Sequence, residues 1–260
     1  MSEVQIAWER HGAGPPLLLI HGLGYARWGW EPVLPGLAEQ FDVILFDNRG
    51  IGESDAPPGP YTAAEMADDA VRVLDEAGVE RAHVVGTSLG GMIAQELALS
   101  HPERVDRIVL ACTTPGGPNA HPMPQATVAL MAEAATLEPA VALRRFVENA
   151  LAPATVAERP DLVDRIMAHR LATAQQPAAW AAQAAAGATF DAFDRLGALA
   201  APAFVQHGDE DVVVDPRNAD LLVERLPDAH LERLPGTGHL FFWEAPERFV
   251  SSVSAFLEDA

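Results

Sequence analysis

A serine between two glycines is the first place in this sequence where the residue types indicate chemistry. Gly86-Thr87-Ser88-Leu89-Gly90 follows an apolar run and precedes a helix-like stretch that we expect to begin at Ser88. A G-x-S-x-G pattern at a strand-to-helix turn lifts the serine hydroxyl above a sheet on a strained corner. The helix amino terminus would direct partial positive charge at an oxyanion formed there. Ser88 is therefore the candidate nucleophile; the alternative is a glycine-lined turn that only packs helix against strand.

A serine hydroxyl is a poor nucleophile without a base, and the base needs a group that orients it. "HGDED" places Asp209 and Asp211 directly after a strand-like run. "GTGHL" places His239 in a glycine-flanked loop before the last helix. The chain order serine, acid, histidine is that of one known hydrolase plan. On the residues alone, either acid can serve as the partner of His239.

Acyl transfer also requires donors for the charge that develops on the carbonyl oxygen. "HGLGYARWGW" follows the first central strand, and its glycines allow close backbone approach. We expect the amides of Leu23 and Leu89 to form this oxyanion hole. Gly22, Trp28 and Phe241 are expected to line an apolar substrate pocket, although the aromatic residues fit a core position equally well.

Alternating strands and helices must position these groups. The helix that starts at Thr62 carries a capping box with Glu65 and stops at Gly78. "EVQIAWER" alternates like an antiparallel edge strand of a hairpin. This order predicts an α/β fold, with a mostly parallel sheet covered by helices on both faces. The predicted buried strands are short apolar runs that start at Pro16, Phe41, Ala82, Arg107 and Pro202.

One region interrupts the alternation. Residues 118–195 contain no strand-like run, and their helical stretches are separated by prolines at 139, 153, 160 and 177. We expect this segment to form a helical cap over the carboxyl edge of the sheet. The core then comprises residues 1–117 and 196–260.

Composition excludes several function classes. The 260 residues carry a formal charge of -20, which disfavours nucleic acid and anionic membranes as partners. The absence of lysine rules out Schiff-base chemistry, and the single cysteine rules out an intrachain disulfide. No histidine pair has metal-site spacing, so we expect no metal. The polar start and the lack of a long apolar run predict a cytoplasmic protein. No sequence feature sets an oligomeric state.

Five motifs in order resemble the α/β-hydrolase superfamily across essentially the whole chain. They are HGLG at 21–24, DNRGIGES at 47–54, GTSLGG at 86–91, HGDED at 207–211 and GTGHL at 236–240. The resemblance implies Asp211 as the histidine partner, a structural role for DNRGIGES and no cofactor. Ser88 separates the chain from the branches with an aspartate nucleophile. The length, single cap and histidine loop are most similar to carboxylesterases, enol-lactonases and carbon-carbon hydrolases.

The expected function is hydrolysis of a small to medium, mostly apolar ester or lactone through an acyl-enzyme on Ser88. A dianionic lactone would require a local arginine, for which Arg144, Arg145 and Arg170 are candidates. Two alternatives share the same plan. One is a cofactor-free haloperoxidase or perhydrolase, and the other is a ligand-binding signalling protein that keeps the triad.

Overall fold

One sheet organises residues 4–134 and 136–258, which are the residues that the computed structural model describes. Its strands lie in the spatial order β1-β3-β2-β4-β5-β6-β7, and all neighbouring strands are parallel except β1 and β3. The predicted mostly parallel sheet is therefore confirmed. The seven strands of this described part are β1 (Trp8–His11), β2 (Pro16–Ile20), β3 (Asp42–Phe46), β4 (Ala82–Thr87), β5 (Val105–Ala111), β6 (Ala203–Gly208) and β7 (Ala229–Leu234).

The amino-terminal strand is an antiparallel edge strand as predicted, but it does not form a hairpin with the next strand. Trp8 in β1 lies opposite Phe46 in β3. Strand β2 is flanked by β3 and β4, both parallel to it. Because both edges of β2 are occupied, the outer edge of β3 is the position left for β1.

Helices follow the strands in the order that the sequence predicts. The second begins with the predicted capping box between Thr62 and Glu65, and Gly78 follows it at a φ of 70°. Short 3-10 turns occupy 27–30, 102–104 and 196–198. The helices among the described residues are α1 (Leu34–Ala38), α2 (Ala63–Glu76), α3 (Leu89–Ser100), α4 (Gln125–Ala134), α5 (Pro139–Asn149), α6 (Pro153–Glu158), α7 (Pro160–Ala172), α8 (Pro177–Thr189), α9 (Arg217–Arg225), α10 (Phe241–Glu244) and α11 (Pro246–Glu258).

Two apolar layers bury the two faces of the sheet. In β2, Leu18 and Ile20 join the layer that contains α2 and α3. Leu17 and Leu19 point to the opposite layer, which contains α1 and α11. Successive strand side chains face opposite sides, so a continuously apolar run is what a strand covered on both faces requires.

Five helices, α4 to α8, lie between β5 and β6. Pro139, Pro153, Pro160 and Pro177 each begin one of them, where the missing proline N–H costs no helical hydrogen bond. An antiparallel bridge between Gly116 and Asp191 joins the two ends of this segment. We propose that residues 118–195 act as a cap, because these helices contact loops at the carboxyl edge of the sheet.

Two such contacts hold these helices at this edge. The Ala150 carbonyl after α5 accepts the amide of Leu240 at 2.9 Å, and Arg170 in α7 donates to the Gly24 carbonyl at 2.6 Å. Both partners lie in loops that follow parallel strands, where ligand sites of α/β sheets are found. No helix within the described ranges has both the length and the apolar character to cross a membrane.

Candidate active site

Ser88 occupies a strained corner between β4 and α3. Its backbone has φ 54° and ψ −119°, a conformation that side chains with a Cβ rarely adopt. Helix α3 begins at Leu89, one residue later than expected, with Ser88 at its N-cap. Strain of this kind costs about 1–3 kcal/mol and persists only where surrounding contacts enforce it.

Strand β5 and the loop that follows it supply those contacts. The Ser88 amide donates to the Ala111 carbonyl at 2.9 Å, and Thr113 Oγ1 donates to the Ser88 carbonyl at 2.7 Å. A Cβ on Gly86 would lie 2.3 Å from the Gly90 carbonyl oxygen, so the flanking glycines make the corner sterically feasible. The hydroxyl group of this half-buried serine makes no hydrogen bond within the described residues.

The segment 21–30 after β2, which is the expected oxyanion loop, packs directly against this corner. A Cβ on Gly22 would lie 2.9 Å from Ser88 Cβ and 3.5 Å from Ser88 Oγ. The amides of Leu23 and Leu89 have no acceptor in the described part of the chain. The structure therefore brings the Gly22 backbone next to the nucleophile candidate and leaves both expected oxyanion donors available.

Asp211 and His239 form a buried pair. Asp211 Oδ2 lies 2.7 Å from His239 Nδ1, in a loop after β6 that meets the loop after β7. The two loops interlock, since a Cβ on Gly208 would lie 2.3 Å from the Gly238 carbonyl oxygen. Asp209 is exposed and accepts the Gly236 amide at 2.7 Å, so it braces the histidine loop without reaching the imidazole.

The Asp211 carboxylate is held on both oxygens. Oδ1 accepts the amides of Val213 at 2.7 Å and Val214 at 3.0 Å. Oδ2 faces His239 Nδ1 and also His207 Nε2, the latter at 3.0 Å. Burial by itself would raise the pKa of Asp211, but the charge of His239 and the hydrogen bonds from both histidines hold this pKa well below its usual value. Asp211 is therefore an anion that orients an imidazole.

No hydrogen bond joins Ser88 and His239 in the described residues. His21 adjoins Gly22, which packs on Ser88, and it lies within reach of the charge of His239. Burial first, and the charge of His239 in addition, lower the pKa of His21 to about 3. Hydrogen bonds between catalytic groups are often long without substrate and tighten in the complex. The arrangement suits nucleophilic attack by Ser88 with base assistance from His239.

Comparison with known proteins gives the same family. A family model described as the alpha/beta hydrolase fold matches residues 15–246. The chain belongs to the α/β-hydrolase family. RutD of Azorhizobium caulinodans, a candidate carbamate hydrolase, is 30% identical over 98% of this chain and 95% of its own. The pimeloyl-[acyl-carrier protein] methyl ester esterase of Aeromonas hydrophila is 30% identical, over 98% and 100%. The crystal structure of the enol-lactonase from Burkholderia xenovorans has a TM-score of 0.86 at 25% identity, over 98% and 97%.

Of the residues predicted to line a pocket in this α/β hydrolase, Phe241 lies in the core instead. It is fully buried, with its ring 6.0 Å from that of Phe249, and offers no surface to a ligand. The one-turn helix α10 directs it into the layer under the sheet. Trp28 is half-buried and stacks on His169 of α7 at 4.9 Å, so it ties the oxyanion loop to the cap.

The cap arginines named from the sequence differ in their surroundings. Arg144 pairs with Asp164, and Arg145 pairs with Glu133. Arg170 lies at the oxyanion loop, where its guanidinium stands 4.9 Å from the centre of the Tyr25 ring. Arg170 is thus the one of the three that the structure brings to the site.

The DNRGIGES segment supports the site without joining it. Asp47 accepts the Arg27 amide at 2.7 Å, and Arg49 pairs with Asp69. Asn48 Nδ2 donates to the His21 carbonyl at 2.8 Å, which steadies the start of the oxyanion loop. Among the described residues, no cluster of histidine, cysteine and carboxylate side chains could hold a metal ion.

His207 is the neighbour of the candidate triad that sequence reasoning missed. Its imidazole is fully buried beside Asp211, although its position at the end of β6 marked it only as part of a motif. The spacing of four residues between His207 and Asp211 was the available signal. In a loop, however, this spacing brings side chains together only when the turn folds back, which the letters HGDED do not specify.

Proposed function

We propose that this α/β hydrolase cleaves a carboxylic ester or lactone of small to medium, mostly apolar structure through an acyl-enzyme on Ser88. The observation that carries the proposal is the buried Asp211–His239 pair at 2.7 Å, together with a serine held at φ 54° at the carboxyl edge of the same sheet. The relatives named for carbamate, methyl ester and enol-lactone hydrolysis support it. All three names denote cleavage of a bond to an acyl carbon.

The reaction needs a single base. His239 Nε2 takes the Ser88 Oγ proton as the oxygen attacks the carbonyl carbon, and the carbonyl π electrons move onto its oxygen. The amides of Leu23 and Leu89 stabilise that oxyanion. Collapse of this tetrahedral intermediate breaks the bond to the alkoxy group, which leaves with the proton from His239. Asp211 keeps the Nδ1 proton in place and balances the imidazolium charge throughout.

A water molecule then hydrolyses the acyl-enzyme by a second addition and elimination. His239 takes a proton from water, whose oxygen attacks the acyl carbon, and the second tetrahedral intermediate collapses to release the acid and the Ser88 hydroxyl. A lactone opens by the same steps, except that its alcohol stays attached to the acyl chain. No step requires a metal ion or a redox cofactor.

A substrate panel tests the assignment. Acetyl, butyryl and longer-chain p-nitrophenyl esters, small lactones and alkyl carbamates are compared on the native chain and on Ser88→Ala. We expect the highest kcat/KM on short to medium esters or lactones, and a loss of several orders of magnitude in Ser88→Ala. Preference for carbamates would move the substrate class to that of RutD. Peracid formation from acetate and peroxide that outpaced ester hydrolysis would indicate a perhydrolase, and slow single turnover with retained product would indicate a binding protein.

A further inference from the structure

A second buried histidine shares the carboxylate oxygen that faces His239. His207 Nε2 lies 3.0 Å from Asp211 Oδ2, and neither side chain has any exposed surface. We propose that His207 is a positioning residue of the triad: it fixes the Asp211 carboxylate and limits how strongly that carboxylate polarises His239. This inference rests on the proposed function, because it assigns His207 a role in the same reaction.

The surroundings of His207 determine where its proton lies. Nε2 has two neighbours, Asp211 Oδ2 and the Val214 carbonyl at 3.1 Å, and both are acceptors. Nε2 must therefore carry the hydrogen. Nδ1 is buried without a partner, so a second proton there would leave an unsatisfied buried donor. The geometry therefore points to a hydrogen on Nε2 and a bare Nδ1.

This donor completes the set around Asp211. The Val213 and Val214 amides hold Oδ1, while His207 and His239 hold Oδ2. Four donors in two directions prevent the carboxylate from rotating. They also spread its charge, so that His239 receives only part of it. Without His207, Oδ2 would turn and bind His239 alone, which stabilises the imidazolium and opposes its return of the proton to the leaving group.

Two other ionisable groups near this pair are buried and uncharged near pH 7. Burial lowers the pKa of His21 to about 3 and raises the pKa of the Cys112 thiol, so both stay neutral near pH 7. A change in the pH profile would therefore report on the His207–Asp211–His239 contacts. Two charged groups of the described residues lie close to the partners of this cluster: Arg170, whose charge acts on His21, and Glu244, whose Oε2 accepts the Gly238 amide at 2.7 Å.

The test compares two variants of the full chain. His207→Phe removes the donor and keeps an aromatic ring of somewhat larger volume, whereas His207→Gln retains an N–H donor at a similar reach. His230→Phe, at an exposed histidine of β7, is the matched control. Hydrolysis of p-nitrophenyl butyrate is measured as a function of pH, with thermal unfolding as the check on folding.

By analogy with the loss that follows when hydrogen-bond partners of metal-ligating side chains are removed, we expect His207→Phe to lower kcat by about 10- to 100-fold. KM should change by less than about twofold, since His207 touches no substrate. The acid limb of the profile should move to higher pH, because the imidazolium is stabilised. His207→Gln should recover most of kcat and the native profile. Native kcat and profile in His207→Phe would overturn the inference.

Two further results separate this inference from the proposed function. If the native chain hydrolyses no ester, lactone or carbamate, the proposed function fails, whatever the His207 variants do. If His207→Phe does not fold, nitrogen-15 histidine spectra of the native chain decide the matter. A hydrogen on His207 Nε2 with a bare Nδ1 supports the inference, and a hydrogen on Nδ1 with a bare Nε2 overturns it.

Discussion

Replacing Asp211 with asparagine should disable the proposed triad, because every face of this carboxylate meets a donor. Oδ1 accepts two backbone amides, and Oδ2 faces two imidazoles. An asparagine NH2 group in either position would point at two N–H groups. The backbone amides cannot give up their hydrogens, so the NH2 group must face the histidines, and His239 must take the other tautomer. Its Nε2 then carries a hydrogen and cannot accept the Ser88 proton.

The expected cost is about 10⁴-fold in kcat, the loss that follows when a triad base is held in the wrong tautomer. Stability should fall as well, by roughly 1–3 kcal/mol for the donors left unsatisfied. Stopped-flow ester hydrolysis and urea unfolding measure the two effects. Asp209→Asn is the matched control, and it should lose less than about tenfold since this exposed side chain only accepts the Gly236 amide. A larger loss in Asp209→Asn than in Asp211→Asn would refute the reasoning.

Three further variants test the corner and its supporting loop. Gly22→Ala places a methyl group 2.9 Å from Ser88 Cβ, so kcat/KM should fall at least about 10-fold while unfolding stays cooperative. An unchanged kcat/KM would contradict the contact. The free energy of unfolding of Ser88→Gly should exceed that of Ser88→Ala by about 1 kcal/mol, because glycine relieves the strain of the φ of 54°. Equal free energies would show that this backbone carries no strain. The pKa of His21 is about 3 in the folded protein and 6.5 in the unfolded chain. As pH falls from 6.5 towards 3, only the unfolded chain protonates His21, so the free energy of unfolding drops by about 1.4 kcal/mol per pH unit. His21→Asn should remove that slope, and His11→Asn, at a half-exposed site, should not.

The sequence predicted the strands of this fold because each buried strand is short, apolar and bounded by turn residues. It also predicted that the HGDED loop would lie within reach of His239, and Asp211 Oδ2 lies 2.7 Å from His239 Nδ1. The pairing of β1 was harder, because an alternating pattern identifies an edge strand without naming the strand beside it.

Side-chain environments were the less predictable part. Phe241 and Trp28 both follow site motifs, yet one is core and the other joins the loop to the cap. Their positions depend on how a one-turn helix and α7 pack, which involves residues distant in the chain. His207 was missed for the same reason. Its contact with Asp211 depends on a turn that the Val213 and Val214 amides stabilise.

The account depends most directly on a covalent intermediate at Ser88. Rapid-quench mass spectrometry of the native chain mixed with excess p-nitrophenyl butyrate, followed by peptide mapping, measures it. The account predicts a butyryl adduct on the peptide that contains Ser88, formed within the first turnover and absent from Ser88→Ala. An adduct on another residue, or one that persists in Ser88→Ala, would contradict it.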